Sequence, residues 1–164
     1  MSMKSNDVLT QLILSVFRVN GRLLESGNQL VEPLGLTSAR WQVLGAIETT
    51  GAPLTCPQIA KIMGITRQGA LKQLDLLESE GLVQALKNNQ NERSPLYELT
   101  SIGRRKYASA MKLQEKWVGG LVAKLQLKDL VIANKVLNQL IEKLESSGSR
   151  VHAKKDKSIS MMFS

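Results

Sequence analysis

Residues 54–83 contain two short amphipathic helices that are separated by only a Gly-Ile turn. The first helix begins with a capping box, in which Thr55 is the N-cap and Gln58 lies three residues later. Gly64 is a favourable C-terminal stop, because glycine readily adopts the left-handed conformation that ends many helices. Thr66 then follows as the N-cap of the second helix. A short helix, a tight glycine-containing turn and a second helix together predict a helix-turn-helix.

The second helix of this pair has two chemically different faces on a helical wheel. Its apolar face is predicted to pack into a core and consists of Ala70, Leu71, Leu74 and Leu77. Its opposite face is polar and consists of Gln68, Lys72, Asp75 and Ser79. Leu76 also lies on the outer side, where we expect it to pack under the segment that follows the helix. An ordinary solvated helix would show the same polar face, so the neighbouring segments decide between the two interpretations.

A β-hairpin is predicted directly after this helix. Two strand-like segments, residues 82–87 and 96–99, are separated by a stretch rich in asparagine and charge, which we expect to form a mobile tip. Pro95 has no N–H to donate to a sheet and therefore belongs at the start or edge of its strand. A hairpin in this position corresponds to the wing of a winged helix-turn-helix.

Long amphipathic helices flank this central region. Near-heptad apolar spacing predicts a helix that ends before Pro33, and a second helix with Thr37 as its N-cap follows. Thr100 is the predicted N-cap of a further helix, and a last helix covers residues 128–146. The fold class is therefore mainly α-helical with a small β-hairpin wing. We divide the chain into helical regions at residues 7–33 and 101–146, a winged helix-turn-helix at 37–100, and a flexible basic tail at 147–164.

The charge balance favours a polyanionic partner. Lysine and arginine total 22 against 14 aspartate and glutamate residues, which gives a net charge of +8 and a pI near 9.8. A surplus of this size attracts nucleic acid over a long range and gains free energy from counterion release. Solubility alone would also account for it, so the charge supports a DNA-binding interpretation without deciding it.

The scarcity of reactive side chains argues against catalysis. Cys56 and His152 are the only cysteine and histidine, which excludes an internal disulfide and argues against a zinc site or a serine triad. No apolar run approaches the length of a membrane span, and the interrupted N-terminal stretch does not fit a signal peptide. We therefore expect a cytoplasmic protein that is not an enzyme and needs no metal or cofactor.

The order of these elements resembles the MarR family of winged helix-turn-helix regulators over residues 7–146. The segments that carry the resemblance are "LGLTSARWQVLGAI", "LTCPQIAKIMGITRQGALKQLDLLESEGLV" and "LYELTSIGRRK". The wing departs from the family pattern, because Asn91-Glu92-Arg93 stands where the family usually carries Asp-Arg-Arg. The resemblance implies a homodimer in which the long terminal helices interlock. Such a dimer would repress transcription from an inverted-repeat operator with half-sites about 10 bp apart.

The resemblance also places candidate DNA-binding residues on the second helix of the motif, on the preceding N-cap and on the wing. They are Thr55, Thr66, Arg67, Gln68, Gly69, Lys72, Gln73, Lys87 and Arg93. We expect Gln68 to pair with adenine and Lys72 to donate to guanine in the major groove. Arg93 is a candidate minor-groove reader, and Lys87 a phosphate contact. For each of these side chains, an ordinary solvated position is the alternative.

Many members of the family release DNA when a small aromatic or otherwise apolar anion enters a cleft between the dimerisation helices and the winged domain. Arg40 and Trp41 lie in the segment that would border this cleft, with a surface salt bridge and a core position as the alternatives. Cys56 stands at a helix N-terminus, so redox sensing is a second route, although a packed or simply exposed inert thiol is the favoured interpretation. The alternative function is a winged-helix protein–protein interaction module without sequence-specific DNA binding.

Overall fold

The computed structural model describes the backbone of residues 4–162 and the side chains of residues 4–147. The described residues form six α-helices: α1 Ser5–Val31, α2 Ser38–Thr50, α3 Cys56–Met63, α4 Arg67–Ser79, α5 Ser101–Val122 and α6 Leu127–Met162. They also form three strands: β1 Leu54–Thr55, β2 Val83–Leu86 and β3 Leu96–Leu99. This mainly helical fold with a small antiparallel sheet confirms the predicted fold class. Two compact units divide between Trp117 and Val118.

The sheet contains one strand more than the sequence predicts. Its order is β1-β3-β2, and both pairings are antiparallel. The strands β2 and β3 pair from Val83 opposite Leu99 to Leu86 opposite Leu96, as a hairpin requires. The additional strand, β1, pairs Leu54 with Tyr97 just before α3 begins. Two residues are too few to show a strand period, so β1 is visible only once the hairpin beside it has formed.

The core of the winged region lies where α2, α3 and α4 meet the sheet. Its fully buried side chains include Leu44, Ile59, Leu74, Leu77, Leu82 and Leu99. Ala70, Leu74 and Leu77 are completely buried, as the wheel predicts, but Leu71 is 43% exposed. The prediction that Leu71 belongs to the core is therefore wrong. At 100° per residue Leu71 falls at the edge of the apolar face, between the buried side and the outward side of α4.

Side-chain caps fix the beginnings of three helices, as predicted. The hydroxyl of Thr37 accepts from the N–H of Arg40, that of Thr66 from Gly69, and that of Thr100 from Gly103. One further cap comes from another helix, because the N–H of Ser38 donates to Oδ1 of Asn28 at 2.7 Å. The first turn of α2 is thus completed by a side chain of α1.

The beginning of α5 is joined closely to the base of the wing. The N–H of Thr100 donates to the carbonyl of Leu82 at 3.0 Å, and its hydroxyl donates to the carbonyl of Gly81 at 2.7 Å. Arg104 donates to the carbonyl of Leu99 at 2.7 Å. Gly103 is buried against the same Leu82 carbonyl. These contacts hold α5 against the segment that connects α4 to the sheet.

The last helix, α6, continues to Met162, past residue 146 where the apolar period predicts its end. No proline interrupts residues 147–162, so nothing in the sequence forces a stop when the amphipathic pattern fades. The side chains of the predicted basic tail from residue 148 onward lie outside the described residues, and its flexibility stays a prediction. Among the described helices, none is long and apolar enough to cross a membrane.

Replacing Gly103 with alanine should destabilise the protein, because the added Cβ would lie 1.9 Å from the carbonyl oxygen of Leu82. Overpacking of this kind costs about 1–3 kcal/mol in the free energy of unfolding, which urea denaturation would measure. Gly119→Ala in the same helix is the matched control, because its Cβ would meet no atom within 4 Å. The control should gain about 0.5–1 kcal/mol from helix propensity. Equal stability of the two variants would show that the α5 junction is not tightly packed.

Candidate nucleic-acid interface

The turn between α3 and α4 is fixed by backbone hydrogen bonds at Gly64. This glycine adopts φ +64°. Its N–H donates to the backbone carbonyl of Lys61 at 3.2 Å, and the N–H of Ile65 donates to the carbonyl of Ala60 at 3.1 Å. This pair of bonds ends α3 in a Schellman motif. Because Thr66 caps α4 directly afterwards, α4 has little freedom to change its direction relative to α3.

The outward face of α4 exposes the polar residues that the sequence predicts. Arg67, Gln68 and Lys72 are all exposed, while the opposite side of the helix is buried in the core. The free N–H groups and the positive dipole end of α4 lie at Thr66, where an anionic oxygen is favoured. An exposed, capped helix with amide and ammonium side chains on its first turns has the chemistry that reads base edges in a major groove.

Two other predicted residues occupy less open positions. Gly69 is half-buried in the first turn of α4, and a Cβ there would lie 3.1 Å from the capping hydroxyl of Thr66. Thr55 is also half-buried, and its N–H and hydroxyl donate to Oε1 of Gln58 at 2.8 Å and 2.9 Å. The predicted capping pair is thus formed. Because its hydroxyl already donates to Gln58, Thr55 offers a phosphate less than Thr66 does, whose hydroxyl is an acceptor in its cap.

The loop of the wing is organised by two asparagines that the sequence analysis does not assign this role. Asn88 is buried, donates to the carbonyl of Ser94 at 2.8 Å and accepts from the N–H of Gln90 at 3.0 Å. Asn91 accepts from the N–H of Arg93 at 3.1 Å through its side-chain oxygen. An aspartate at this position would offer the same acceptor oxygen. The turn therefore forms although Asn91 stands where the family usually carries aspartate. It leaves Arg93 exposed at the loop tip.

The Lys87 ammonium lies 3.7 Å from the carboxylate of Glu92, and both side chains are largely exposed. Exposed ion pairs of this kind contribute little to stability, so Lys87 can exchange its partner for a phosphate at small cost. Arg104, by contrast, is engaged within the protein, because it donates to Leu99 and lies 3.8 Å from Glu48.

A cleft of about 540 Å³ lies beside α4, between α1 and the first turn of α2. It is lined by Leu24, Asn28, Thr37, Ser38, Ala39, Arg40, Lys72, Gln73 and Leu76. The predicted DNA-binding residue Gln73 therefore borders this cleft, while Lys72 borders both the cleft and the outward face. Leu76 also faces the cleft, so the prediction that it packs under the wing is wrong.

Arg40 is one of the two positively charged residues, with Lys72, among the described residues that line this cleft. Its guanidinium pairs with the carboxylate of Glu80 at the end of α4 and donates to the carbonyl of Gly35 at 3.0 Å. Trp41 is not among the lining residues but packs half-buried against the core. The structure therefore brings Arg40 to the cleft and leaves Trp41 in the core position.

Cys56 occupies the first position of α3 and is half-buried, with its Sγ 3.4 Å from the carbonyl of Arg67. Burial raises the pKa of the Cys56 thiol above its ordinary value, and the nearby Arg67 guanidinium offsets this rise only in part. The thiol therefore stays protonated at neutral pH, which is the opposite of what a reactive sensor cysteine requires.

Comparison with known proteins decides the family. A model described as the MarR family matches residues 34–94, which run from the turn before α2 through the wing loop. The uncharacterized protein Rv2011c of Mycobacterium tuberculosis is 37% identical over 100 residues, covering 61% of this chain and 68% of that protein. The chain belongs to the MarR family. It is thus a winged-helix transcription regulator and not an enzyme.

Other relatives of this MarR-family chain have described roles. The transcriptional activatory protein BadR of Rhodopseudomonas palustris is 26% identical over 100 residues, covering 60% of this chain and 57% of that protein. The solved structure of the transcriptional repressor CouR, bound to a 23-mer DNA duplex, superimposes with a TM-score of 0.66. It is 26% identical, and the match covers 87% of this chain and 99% of that one.

Alkylation of Cys56 by iodoacetamide should be slower in the folded protein than in the urea-unfolded chain at about pH 8, because the raised pKa leaves less thiolate. The rate in the folded protein should also level off at a higher pH than the rate in the unfolded chain, because the pKa of the thiol is raised. A pH profile measured by mass spectrometry would check both points. A fast rate that levels off below neutral pH would instead mark Cys56 as a reactive sensor thiol.

Proposed function

We propose that this protein is a sequence-specific repressor that binds an inverted-repeat operator as a homodimer. The observation that carries the proposal is the exposed polar face of α4, which begins at the capped Thr66 and is held by three buried side chains on its other side. The CouR structure supports it, because that relative is named a repressor and is bound to DNA. Repression is the simplest outcome when a dimer covers two successive major grooves of a promoter.

The readers of base edges are Gln68 and Lys72 on this face. Gln68 can pair bidentately with adenine, and Lys72 can donate to the acceptors of guanine. Thr66 and Arg67 at the N-terminus of α4 bind phosphate, which positions the helix without reading sequence. Arg93, held at the tip of the wing by Asn91, reaches into the adjacent minor groove.

Dimerisation is supported by apolar side chains that each compact unit leaves exposed. On α1 they are Val8, Leu9, Ile13, Leu14, Val16, Phe17, Val19, Leu23 and Leu24. On α6 they include Leu127, Val131, Ile132, Ile141 and Leu144. Contiguous apolar surface on this scale is rare in a monomer and marks an interface. Two copies would carry a formal charge of 2 × 8 = +16, which increases the attraction for DNA.

Selection of the purified protein against random duplex at two salt concentrations tests the proposal. The expected result is a palindrome with half-sites about 10 bp apart, one helical turn of DNA. Affinity should fall with salt, with a log–log slope of about −0.9 for each phosphate contacted. Salt-sensitive binding without a motif would contradict sequence-specific reading. Failure to bind at either salt concentration would favour the protein–protein interaction module.

Two substitutions separate base reading from phosphate contact on the selected operator. Gln68→Ala should relax the preference at one position of each half-site, since a good bidentate contact contributes about 1–3 kcal/mol of discrimination. Lys87→Ala should leave the sequence preference intact and make the salt slope of the dimer shallower by about 1.8, because each protomer loses one phosphate contact of about 0.9. Both variants are measured by fluorescence anisotropy at several salt concentrations. A changed salt slope in Gln68→Ala together with a relaxed sequence preference in Lys87→Ala would contradict the roles given to these residues.

We infer as well that a small apolar anion in the cleft beside α4 releases the operator. Leu24 and Leu76 offer apolar contacts, and Arg40 and Lys72 offer positive charge. The N-terminal turn of α2 adds its dipole to the same wall. Because Lys72 borders the cleft and also faces outward, an anion that draws its ammonium inward removes it from DNA.

A matched pair of probes, 1-naphthoate and neutral 1-naphthamide, tests this cleft. The carboxylate should bind and reduce operator affinity, while the amide should do neither. Arg40→Gln should weaken naphthoate binding about 10- to 100-fold, because a charge-assisted hydrogen bond of about 1.5–3 kcal/mol is lost. Glu80→Gln is the control, since it breaks the same ion pair but keeps the cation in the cleft. Equal losses in the two variants would attribute the effect to the ion pair alone.

A further inference from the structure

Leu71 is a large apolar side chain that the core of the winged domain does not bury. It is 43% exposed, while Ala70 and Leu74 beside it are completely buried. Leu71 is the fifth residue of α4, three positions after Gln68 and one before Lys72. At 100° per residue, its side chain leaves the helix about 60° around the axis from Gln68. Leu71 therefore adjoins the proposed reading face, within the half of the helix that meets base edges.

A second leucine on the same helix, Leu76, is equally exposed but differs from Leu71 in what it lies against. Leu76 is also 43% exposed, but it borders the cleft between α1, α2 and α4 and so has a surface to line. Leu71 is on the opposite flank of α4, next to Arg67 and Asp75 in helical spacing. Leu71 is not one of the described residues that line this cleft. Its exposed apolar surface therefore lies on the flank of α4 that adjoins Gln68.

The chemistry of the major groove supplies an apolar partner for such a side chain. Each thymine presents a C5 methyl group there, which no other unmodified base carries, and apolar side chains recognise it by direct contact. Gln68 and Lys72 are suited to adenine and guanine, so an exposed leucine on the flank next to Gln68 adds a group that the polar residues cannot read. We propose that Leu71 reads the C5 methyl of one thymine in each half-site. The proposal rests on the proposed function and extends its specificity.

Deoxyuridine tests this contact, because it removes the methyl group of thymine and leaves every hydrogen-bonding group in place. Each thymine of the selected operator is replaced in turn, and the affinity of the full-length protein is measured by anisotropy. One thymine per half-site, at symmetric positions, should show a loss of about fourfold, which corresponds to about 0.8 kcal/mol for one buried methylene-sized group. The other thymines should show smaller losses.

Two matched variants then assign the effect to a side chain. Leu71→Ala should still bind the operator but should no longer distinguish thymine from deoxyuridine at the sensitive position. Ile102→Ala, which removes a comparably exposed apolar side chain (50%) from α5, should keep the full discrimination.

Three results would overturn the inference while leaving the proposed function intact. They are a half-site without thymine on either strand, operator binding that is insensitive to deoxyuridine at every position, and a deoxyuridine loss that is unchanged in Leu71→Ala. Failure of the protein to select any DNA sequence would instead overturn the proposed function, and this inference with it.

Discussion

The burial of one side of α4 against α2, α3 and the sheet determines what the winged domain presents to its surroundings. Ala70, Leu74 and Leu77 are completely removed from solvent, so the helix cannot rotate about its axis without exposing them. The opposite side is then forced outward with its amide, ammonium and carboxylate groups. The Schellman turn at Gly64 and the cap at Thr66 fix the helix at its N-terminal end. A rigid scaffold of this kind keeps the exposed side chains of α4 in place, which would limit the entropy lost on binding the proposed DNA partner.

The base of the wing connects this helix to the rest of the chain. Gly81 and Leu82, which follow α4, accept hydrogen bonds from Thr100 at the start of α5. Because Gly103 packs against the same Leu82 carbonyl, a shift of α5 is transmitted to the end of α4 through backbone atoms rather than through flexible side chains. At its C-terminal end, Glu80 is also tied to Arg40 of α2. The recognition helix is therefore held at both ends, and a ligand that competes for Arg40 acts on one of these attachments.

Local signals in the sequence predict most of this architecture, while features that need distant residues are missed. The caps at Thr37, Thr66 and Thr100 depend on neighbours three residues away and are predicted correctly. The strand β1 is missed because its only partner lies some forty residues later in the hairpin. Leu71 is misassigned because a helical wheel identifies an apolar sector but not where the neighbouring elements stop covering it. The cleft at Arg40 is formed by residues of three helices, which the sequence alone does not bring together. Trp41 is expected there because it follows Arg40 in the sequence, but its ring packs against the core.

The cap that Asn28 places on Ser38 has a consequence for how the domain is built. A helix normally obtains its N-terminal hydrogen bonds from its own sequence, and a fragment that contains the helix then retains them. Here the first N–H of α2 depends on a side chain ten residues earlier, on a helix that the winged region does not include. A fragment that begins at Thr37 would keep the Thr37 cap but would leave the N–H of Ser38 without its Asn28 acceptor and would lose one wall of the cleft. The first turn of α2 is thus completed only when α1 is present, and the winged region of this chain is not a module that can be excised unchanged.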